Sequence, residues 1–331
     1  MEKHATIPVF VPHLACPNQC IFCNQKKISG AKTPPENITP FLAEAVENLG
    51  DRFSSVDIAF FGGTFTAIEE DRMISYLEQA NFFLRNSPRI TGIRLSTRPD
   101  AISGHILDIL EKYGVTAIEL GCQSFDDGVL EKSQRGHTAK NTFDAVAMIK
   151  NRNFELVLQL MPGLYGDTDE TIKKTFETAL FLHPDGVRIY PCVVISETPL
   201  EDLYKRGEFI PLSVEKAVDI CAKYVPKFEE KGIKIIKTGL HSSDLSQNGG
   251  VIAGPYHPAF GELVSQKIYL KKLLSTVSEN DGGTIFVPQG DISKAVGNKR
   301  ANLVFLEKET GRKFKVKEDC ALKKGEIRIG D

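Results

Sequence analysis

Residues 57–63 read Asp57-Ile-Ala-Phe-Phe-Gly-Gly63, a short and largely apolar run that ends in two glycines. A run of this length and composition is typical of a strand that is buried on both faces, as in parallel sheets covered by helices. Similar runs recur along the chain, and segments with helical character separate them. This stretch therefore indicates the fold class, and the neighbouring segments give its extent.

Strands and helices alternate through the first 190 residues or so. We predict strands at 7–12, 57–61, 92–96, 115–121, 155–161 and 186–192, and helices at about 39–49, 69–85, 102–112, 126–132, 139–151 and 168–181. A helix at about 213–231 and a short strand at 233–236 follow, with a looser rhythm. This alternation is typical of βαβ units and a parallel sheet. Six strands are too few for a closed eight-stranded barrel, so we predict an α/β fold with a partial (βα)6 barrel.

The composition excludes several classes of protein. Of the 331 residues, 41% are hydrophobic and 25% are charged, close to the globular average, so disorder and coiled coil are poor explanations. The formal charge of −2 excludes attachment to nucleic acid by bulk charge, although a local basic patch stays open. No apolar run is long enough to span a membrane, and no signal-peptide core precedes Cys16. We therefore expect a soluble, cytoplasmic protein.

Polar or glycine residues follow each predicted strand at its carboxyl end, the edge where parallel α/β sheets bind ligands. We therefore expect these residues to converge on one site. Asp100, Glu119 and Tyr190 also lie at strand ends, where a functional role and a structural ion pair are equally good interpretations. The other candidates at these ends are Cys16, Cys20, Cys23, Gly62, Gly63, Thr64, Ser96, Gln123 and Gln159.

Three cysteines fall within eight residues, as Cys16-Pro-Asn-Gln-Cys20-Ile-Phe-Cys23. Thiolates are the ligands of iron–sulfur clusters, and three of them leave one iron of a 4Fe-4S cluster open. A zinc knuckle completed by His13 is the alternative, and the glycine pair after the next strand favours the cluster. The remaining cysteines are scattered, and we expect them to be packed thiols: Cys122, Cys192, Cys221 and Cys320.

The cysteine motif, with Phe22 before its last cysteine, resembles that of the radical S-adenosylmethionine (SAM) enzymes. Further stretches resemble the radical SAM domain of the elongator catalytic-subunit family of tRNA-modifying enzymes, over roughly residues 7–210. They are Phe60-Phe-Gly-Gly-Thr-Phe65, Ser96-Thr-Arg-Pro-Asp100, Ile118-Glu-Leu-Gly-Cys-Gln-Ser124, Val129-Leu-Glu-Lys-Ser-Gln-Arg135-Gly-His-Thr138, Met161-Pro-Gly-Leu164, Arg188-Ile-Tyr-Pro191 and Leu203-Tyr-Lys-Arg-Gly207. The same order resembles oxygen-independent coproporphyrinogen oxidase more distantly. The elongator family spaces its first two cysteines further apart and carries an acetyltransferase domain for which this chain has no room.

The resemblance implies a 4Fe-4S cluster and SAM as cofactors. The open iron chelates SAM in that family, and reductive cleavage then gives methionine and a 5′-deoxyadenosyl radical. It implies that Gly62 and Gly63, followed by Thr64, let the backbone approach the SAM ammonium group. Ser96 and Gln123 match family contacts to the ribose or adjacent groups, and Gln159 is a further ribose candidate. Arg135 matches an arginine that binds the SAM carboxylate, and His137 is interpreted as structural.

The last 50 residues suggest a second unit. A strand at 283–288, a helix at 291–296, a turn at 297–300, a helix at 301–309 and a strand at 313–317 follow the order of a KH domain. The sequence of this segment resembles the KH modules of the transcription factor NusA, in which a G-x-x-G loop clamps the nucleic-acid backbone. Here the loop is Gly297-Asn-Lys299-Arg300, so the second glycine is replaced. Gly297, Lys299 and Arg300 are the candidate RNA-binding residues, and nearby Lys294, Arg312, Lys313 and Lys315 add positive charge.

We expect three units: a barrel at 1–240, a connecting loop or lid at 241–281, and an α+β KH-like domain at 282–331. Glycine, proline, asparagine and serine mark the start of the middle segment as loop, and Tyr256, His257 and Phe260 favour a lid over a spacer. Three functions stay open. The first is a radical SAM enzyme that modifies an RNA base, with RNA such as tRNA as its substrate. The second is a radical SAM enzyme for a small molecule such as a tetrapyrrole, and the third is a non-catalytic RNA-binding protein whose cluster is structural. Either enzyme needs an electron donor such as flavodoxin or ferredoxin.

Overall fold

The structure is a computed structural model that describes residues 4–11, 20–24, 35–240, 250–277, 283–323 and 325–330. The described strands, in chain order, are β1 (His4–Phe10), β2 (Ser55–Phe61), β3 (Ile90–Thr97), β4 (Val115–Gln123), β5 (Glu155–Leu160), β6 (Gly186–Ile189), β7 (Val194–Ile195), β8 (Lys234–Thr238), β9 (Val251–Ala253), β10 (Thr284–Val287), β11 (Lys315–Glu318) and β12 (Arg328–Gly330). The described helices are α1 (Thr39–Leu49), α2 (Glu70–Asn86), α3 (Gly104–Lys112), α4 (Asp127–Lys132), α5 (Ala139–Lys150), α6 (Asp169–Leu182), α7 (Pro199–Lys205), α8 (Val214–Glu230), α9 (Phe260–Thr276), α10 (Ile292–Val296) and α11 (Ala301–Thr310).

The main sheet has seven parallel strands in the order β1-β2-β3-β4-β5-β6-β8. The predicted α/β class and open partial barrel are confirmed. The strand number is corrected from six to seven, because β8 pairs with β6 and extends the sheet. The predicted last barrel strand at 186–192 ends at Ile189, before Pro191, which has no N–H to donate to a ladder.

One face of this sheet carries the hydrophobic core. Alternate strand residues such as Ile58, Phe60 and Leu120 pack there with residues from the surrounding helices. Phe60 stacks on Phe65 with ring centroids 4.4 Å apart, and Phe176 of α6 stacks on Tyr224 of α8 at the same distance. Because the side chains of a strand alternate between faces, the other residues of these strands project from the opposite face of the sheet, where the candidate site lies.

The segment between barrel and tail is not a loop throughout, as the sequence suggested. Within its described part, β9 pairs antiparallel with β7, and α9 is a helix of 17 residues. Phe260 begins α9 and is buried in the barrel core, so it is not available to stack on a ligand. Residues 241–249, where the predicted segment begins, lie outside the described residues.

The tail forms a small mixed sheet with its own core. β10 lies in the middle, parallel to β11 and antiparallel to β12, and the predicted order of strand, helix, turn, helix and strand is confirmed. Tyr269 and Leu273 of α9 are buried in this core, and Tyr269 donates a hydrogen bond to Asp291. The helix α9 therefore packs with both units, since Phe260 at its start belongs to the barrel core. Among the described helices, none is long and apolar enough to cross a membrane.

Candidate functional site

Two of the three clustered cysteines lie on one tight turn. The N–H of Cys23 donates to the carbonyl of Cys20 at 3.0 Å, and Cys20 is buried while Cys23 is half-buried. Cys20 and the adjacent Ile21 pack in a small apolar cluster with residues that include Val129, Leu164 and Leu200. Cys16 and His13 lie outside the described residues, so the full ligand set stays a prediction.

Arg135 joins the cysteine turn to the end of strand β4. Its Nη1 donates to the Sγ of Cys20 at 3.2 Å, and its Nη2 donates to the carbonyl of Gly121 at 2.7 Å. The side chain is buried, and its Nε makes no hydrogen bond within the described part of the chain. The arginine that the sequence assigned to SAM therefore contacts Cys20, one of the predicted cluster ligands, and keeps one donor available.

Gln123 and Gln159, both predicted SAM contacts, are brought together. The Nε2 of Gln159 donates to the Oε1 of Gln123 at 3.2 Å, and the N–H of Met161 donates to the carbonyl of Gln123 at 2.8 Å. Gln123 is buried and has a left-handed backbone with φ of 65°, a conformation that non-glycine residues rarely adopt. Strand β4 ends in this residue, so its side chain leaves the regular alternation of the sheet.

Gly121 makes this grouping possible, although the sequence analysis did not single it out. A Cβ at Gly121 would lie 2.9 Å from Nε2 of Gln123 and 3.4 Å from Nη2 of Arg135. A glycine inside a strand commonly marks the close approach of a ligand or another backbone, so the position of Gly121 in the predicted strand could have indicated this site. Here the missing side chain makes room for Gln123 and Arg135 against the strand.

The remaining predicted residues lie at the neighbouring strand ends. Gly62 has a φ of 105°, which requires glycine, and Gly63 follows it in the bend after β2. Ser96 is half-buried near the end of β3, opposite Glu119 in the strand register. Thr64 is buried and lines a cleft of about 290 Å³ with Arg98 and Asp100.

A network of buried charges crosses the same face of the sheet below these residues. Glu119 of β4 accepts hydrogen bonds from Arg188 at 3.0 and 3.1 Å and lies 3.4 Å from Arg94. Arg94 also contacts Asp57 at 3.0 Å, and Arg188 donates to the hydroxyl of Tyr190 at 3.0 Å. The structural interpretation of Glu119 and Tyr190 is therefore supported, because their polar atoms are bonded within the protein.

Arg94 is the part of this network that the sequence analysis missed. Its position between the apolar Ile93 and Leu95 of a buried strand could have indicated a buried ion pair, since a buried charge needs partners. Asp100 likewise makes an ion pair, with two hydrogen bonds from Arg98 at 2.8 and 2.9 Å. Burial pushes the pKa of Asp100 upward, but the Arg98 guanidinium outweighs this effect and holds it below its usual value.

His137 is buried next to strand β4. Its Nε2 lies 3.3 Å from the carbonyl of Cys122, and its Nδ1 makes no hydrogen bond within the described residues. Burial, reinforced by the positive charge of Arg135, lowers the pKa of His137 to about 4, so the ring is neutral near pH 7. The predicted structural role is consistent with this position, which ties the loop that carries Arg135 to the sheet.

Three of the four scattered cysteines are packed thiols, as predicted. Burial raises the pKa of Cys122, Cys192 and Cys221 to about 12 each, so they are protonated at neutral pH. The prediction is wrong for Cys320, which is exposed in the tail. Protonated thiols are poor metal ligands, so these three buried cysteines are not candidates for the metal site.

The described residues fit an iron–sulfur cluster with bound SAM. The donor set contains two cysteines on a turn, with one of them contacted by a buried cation. The unpartnered Nε of Arg135 is a buried donor that a carboxylate can satisfy, and an unbonded buried donor is otherwise costly. Gly121 lets Gln123 and Arg135 lie close to the strand, and the amide groups of the paired glutamines can both donate and accept hydrogen bonds.

Comparisons with known proteins identify the family of the chain. The radical SAM superfamily profile matches residues 10–179, and the radical SAM C-terminal domain profile matches residues 184–270. The tRNA uridine(34) acetyltransferase of Methanocaldococcus infernus is 30% identical over 258 residues, covering 66% of this chain and 48% of that protein. Elongator complex protein 3 of Mus musculus is 31% identical over 202 residues, covering 54% of this chain and 36% of that protein.

Among solved structures, the archaeal Methanocaldococcus infernus Elp3 with an N-terminal deletion superposes with a TM-score of 0.66 and 25% identity. The match covers 82% of this chain and 64% of that one. The hydrogenase maturase HydG, at a TM-score of 0.57 and 14% identity, shares the fold alone. The chain spans about half the length or less of these curated relatives. Because the superfamily profile covers half of its residues and the fold agrees, this chain belongs to the radical SAM superfamily of enzymes.

Proposed function

We propose that this radical SAM enzyme modifies a base in RNA, with tRNA as the expected substrate class. In this proposal the barrel carries the chemistry and the tail docks the RNA. The observation that carries it is the basic turn Gly297–Arg300 at the start of helix α11, in which Lys299 and Arg300 are exposed. The relatives named as tRNA uridine(34) acetyltransferases support the choice of tRNA, since the likeness to them covers much of the barrel.

Cys16, Cys20 and Cys23 are the proposed ligands of a 4Fe-4S cluster. When bound, the cluster supplies an electron that cleaves SAM to methionine and a 5′-deoxyadenosyl radical. Gln123 and Gln159 would bind the nucleoside part of SAM, with Ser96 on the neighbouring strand. The Nε of Arg135 would donate to the SAM carboxylate. Gly62, Gly63 and Thr64 would let the backbone after β2 approach the SAM amino group.

The backbone of the tail turn is held by neighbouring side chains. The N–H of Asn298 donates to the Oε1 of Gln266 on α9 at 2.9 Å. The side-chain amide of Asn302 donates to the carbonyls of Gln266 at 2.9 Å and Lys294 at 3.0 Å. A Cβ at Gly297 would lie 2.8 Å from the N of Asn302, so glycine is required there. The turn is therefore a fixed feature of the surface.

Lys299 and Arg300 are both exposed and both left-handed, with φ of 49° and 65°. Arg300 occupies the place of the second glycine in a G-x-x-G loop, and glycine adopts such a backbone without strain. A charged side chain is kept here despite a cost of about 1 kcal/mol for a left-handed residue. In a turn that binds phosphate, the positive charge of Arg300 would replace the close backbone contact that the second glycine allows.

The surroundings of the turn also suit RNA. An open cleft of about 600 Å³ beside it is lined in part by Ile292, Val296 and Glu318, which offers both apolar contact and a hydrogen-bond acceptor. Residues 282–331 contain eleven basic and seven acidic residues, although the whole chain has a charge of −2. Positive charge is thus concentrated in the tail, as expected for a unit that binds a phosphate backbone. We therefore propose that the tail binds RNA in the manner of a KH domain.

The test is anaerobic incubation of the reconstituted protein with SAM and total tRNA, followed by nucleoside mass spectrometry. Dithionite reduces the cluster in one arm, and flavodoxin or ferredoxin with its reductase replaces it in another. We expect a nucleoside of new mass that requires SAM and is absent with Cys20→Ala. Unchanged nucleosides, together with SAM cleavage that RNA does not stimulate, would contradict an RNA substrate and favour a small molecule such as a tetrapyrrole. RNA binding without any SAM cleavage would instead favour a non-catalytic protein.

A further inference from the structure

The contact between Arg135 and Cys20 differs from the other buried arginine contacts of the barrel. Arg94 and Arg188 each contact carboxylates, and Arg98 pairs with Asp100. Among the residues that the structure describes, Arg135 has no carboxylate partner, and its side chain donates hydrogen bonds to the Cys20 sulfur and the Gly121 carbonyl. A buried cation is costly unless an anion lies close to it. The sulfur side of this guanidinium is where that anion is expected.

The loop that carries Arg135 holds the cysteine turn at two points. The carbonyl of Ser133 accepts a hydrogen bond from the N–H of Ile21 at 3.2 Å, next to the side-chain contact at Cys20. The loop itself is fixed, because the N–H of Arg135 donates to the carbonyl of Leu130 at 3.0 Å. The Nη2 of the guanidinium donates a hydrogen bond to the carbonyl of Gly121. These contacts hold the Cys20 sulfur relative to strand β4.

A cation that donates N–H to a cluster cysteine has a predictable electrostatic effect. Reduction adds negative charge to an iron–sulfur cluster, so a nearby positive charge stabilises the reduced form more than the oxidised form. Hydrogen bonds to the cysteine sulfurs and the net charge around a cluster are among the factors that set its reduction potential. Contacts of this kind also orient the ligands of metal sites.

We infer that Arg135 is a positioning residue for the cluster, which holds the sulfur of Cys20 and raises the reduction potential through its Nη1–H contact. This role is additional to the proposed contact of its Nε with SAM, and it uses a different nitrogen. The inference rests on Cys20 as a cluster ligand and is independent of whether the substrate is RNA.

The test is a redox titration of the reconstituted cluster without SAM, followed by electron paramagnetic resonance. Arg135→Met removes both the charge and the donor, and Arg135→Lys keeps the charge without the two-pronged geometry. At the wild-type midpoint potential, we expect the ratio of reduced to oxidised cluster to fall at least tenfold in Arg135→Met, equivalent to 59 mV for one electron. Arg135→Lys should give a smaller fall, of about threefold.

The control is the double variant Arg98→Gln with Asp100→Asn, which removes a buried arginine together with its counterion and so preserves net charge. Its reduced-to-oxidised ratio should stay within twofold of wild type. A wild-type midpoint in folded Arg135→Met would overturn the inference. If Arg135→Met melts early by circular dichroism or takes up no iron, a wild-type midpoint in Arg135→Lys overturns it instead. Full iron content in Cys20→Ala would show that the ligand assignment has failed, whatever the potentials are.

Discussion

The Nε2 of Gln159 donates a hydrogen bond to the Oε1 of Gln123 at 3.2 Å, which joins the ends of strands β5 and β4 beside Arg135. The bond fixes the orientation of the Gln123 side chain, because its oxygen is occupied and its NH₂ group is left to donate. Gln123 also has a left-handed backbone, which directs it away from the regular strand. The pair is therefore a single polar unit at the ligand-binding edge of the sheet.

The first prediction concerns this pair. Gln123→Ala and Gln159→Ala should each raise the dissociation constant for SAM about three- to tenfold, the cost of one neutral hydrogen bond. Because the two side chains are in contact, the double variant should lose less than the sum of the single losses. Anaerobic calorimetry on the reconstituted protein measures all three. Gln79→Ala is the control, since Gln79 caps the start of α1. Wild-type affinity in both single variants would contradict the assignment.

The second prediction concerns the pH dependence of stability. His137 has a pKa of about 4 in the folded protein, against about 6.5 when unfolded, so the unfolded chain binds more protons between these values. The stability associated with the neutral ring is therefore complete above pH 6.5. It is lost as pH falls toward 4, by up to about 3 kcal/mol.

Urea unfolding of the apo-protein between pH 7.5 and 4.5 measures this effect. His137→Gln should flatten the profile in that window. Titration of Asp100 acts at lower pH, since its pKa lies below the usual value. An unaltered pH profile in His137→Gln would show that the buried ring does not cause the loss.

The third prediction concerns the buried charge network. Glu119 accepts from Arg188 and lies against Arg94, so Glu119→Gln leaves the buried Arg188 without the carboxylate that it contacts in the described part of the chain, whereas Arg94 keeps Asp57. We expect a loss of roughly 3 to 5 kcal/mol in the free energy of unfolding of the apo-protein. Glu155→Gln is the matched control, because Glu155 pairs with Arg94 at 3.3 Å and is more exposed, and it should cost less than about 1 kcal/mol. Equal losses in the two variants would contradict the central position of Glu119.

The fourth prediction separates charge from backbone strain in the tail turn. Arg300→Gly removes a charge but suits the left-handed backbone, so the protein should be more stable by up to about 1 kcal/mol while RNA affinity falls. Lys299→Ala combined with Arg300→Ala should lower the slope of log affinity against log salt by about 1.4, or 0.7 for each lost contact to a single strand. Filter binding over a salt series measures the slope.

The control for the tail is Lys140→Ala, a surface lysine that pairs with Asp144 on α5 of the barrel. Unchanged RNA affinity and slope in the turn variants would contradict an RNA role for the turn. Point variants are better than truncation after Asp281 here, because truncation would expose Tyr269 and Leu273, which are buried in the tail core. Oxygen sensitivity of the cluster in the same variants tests the alternative in which the tail seals the barrel.

Local patterns were sufficient to predict most of the fold. Apolar runs such as 57–61 gave the strands, and the residues at their ends include the paired glutamines and the cysteine turn. Helix α9 was not predicted, because its sequence is nearly as polar on one side as on the other. The glycine- and proline-rich residues before it also suggested that the loop continues. Its buried residues belong to two different cores, which gives no single apolar stripe.

The contacts of the site could not be predicted in the same way. The Cys20 and Arg135 side chains meet across 115 positions of the chain, and such a pairing leaves no periodic pattern. The same holds for Arg94, which contacts carboxylates from β2, β4 and β5. Residue type predicted that a buried arginine needs an anion, but the identity of the partner depends on the packing of distant strands.

The most direct test of the whole account compares iron content and 5′-deoxyadenosine formation across cysteine variants after anaerobic reconstitution. The wild-type protein should hold about four irons per chain and cleave SAM when reduced. Replacing Cys16, Cys20 or Cys23 by Ala should abolish both together, and Cys192→Ala and Cys221→Ala should preserve both, because burial keeps those thiols protonated. Stoichiometric zinc without iron, or equal loss of iron in Cys192→Ala, would contradict the assignment of the cluster to the three clustered cysteines.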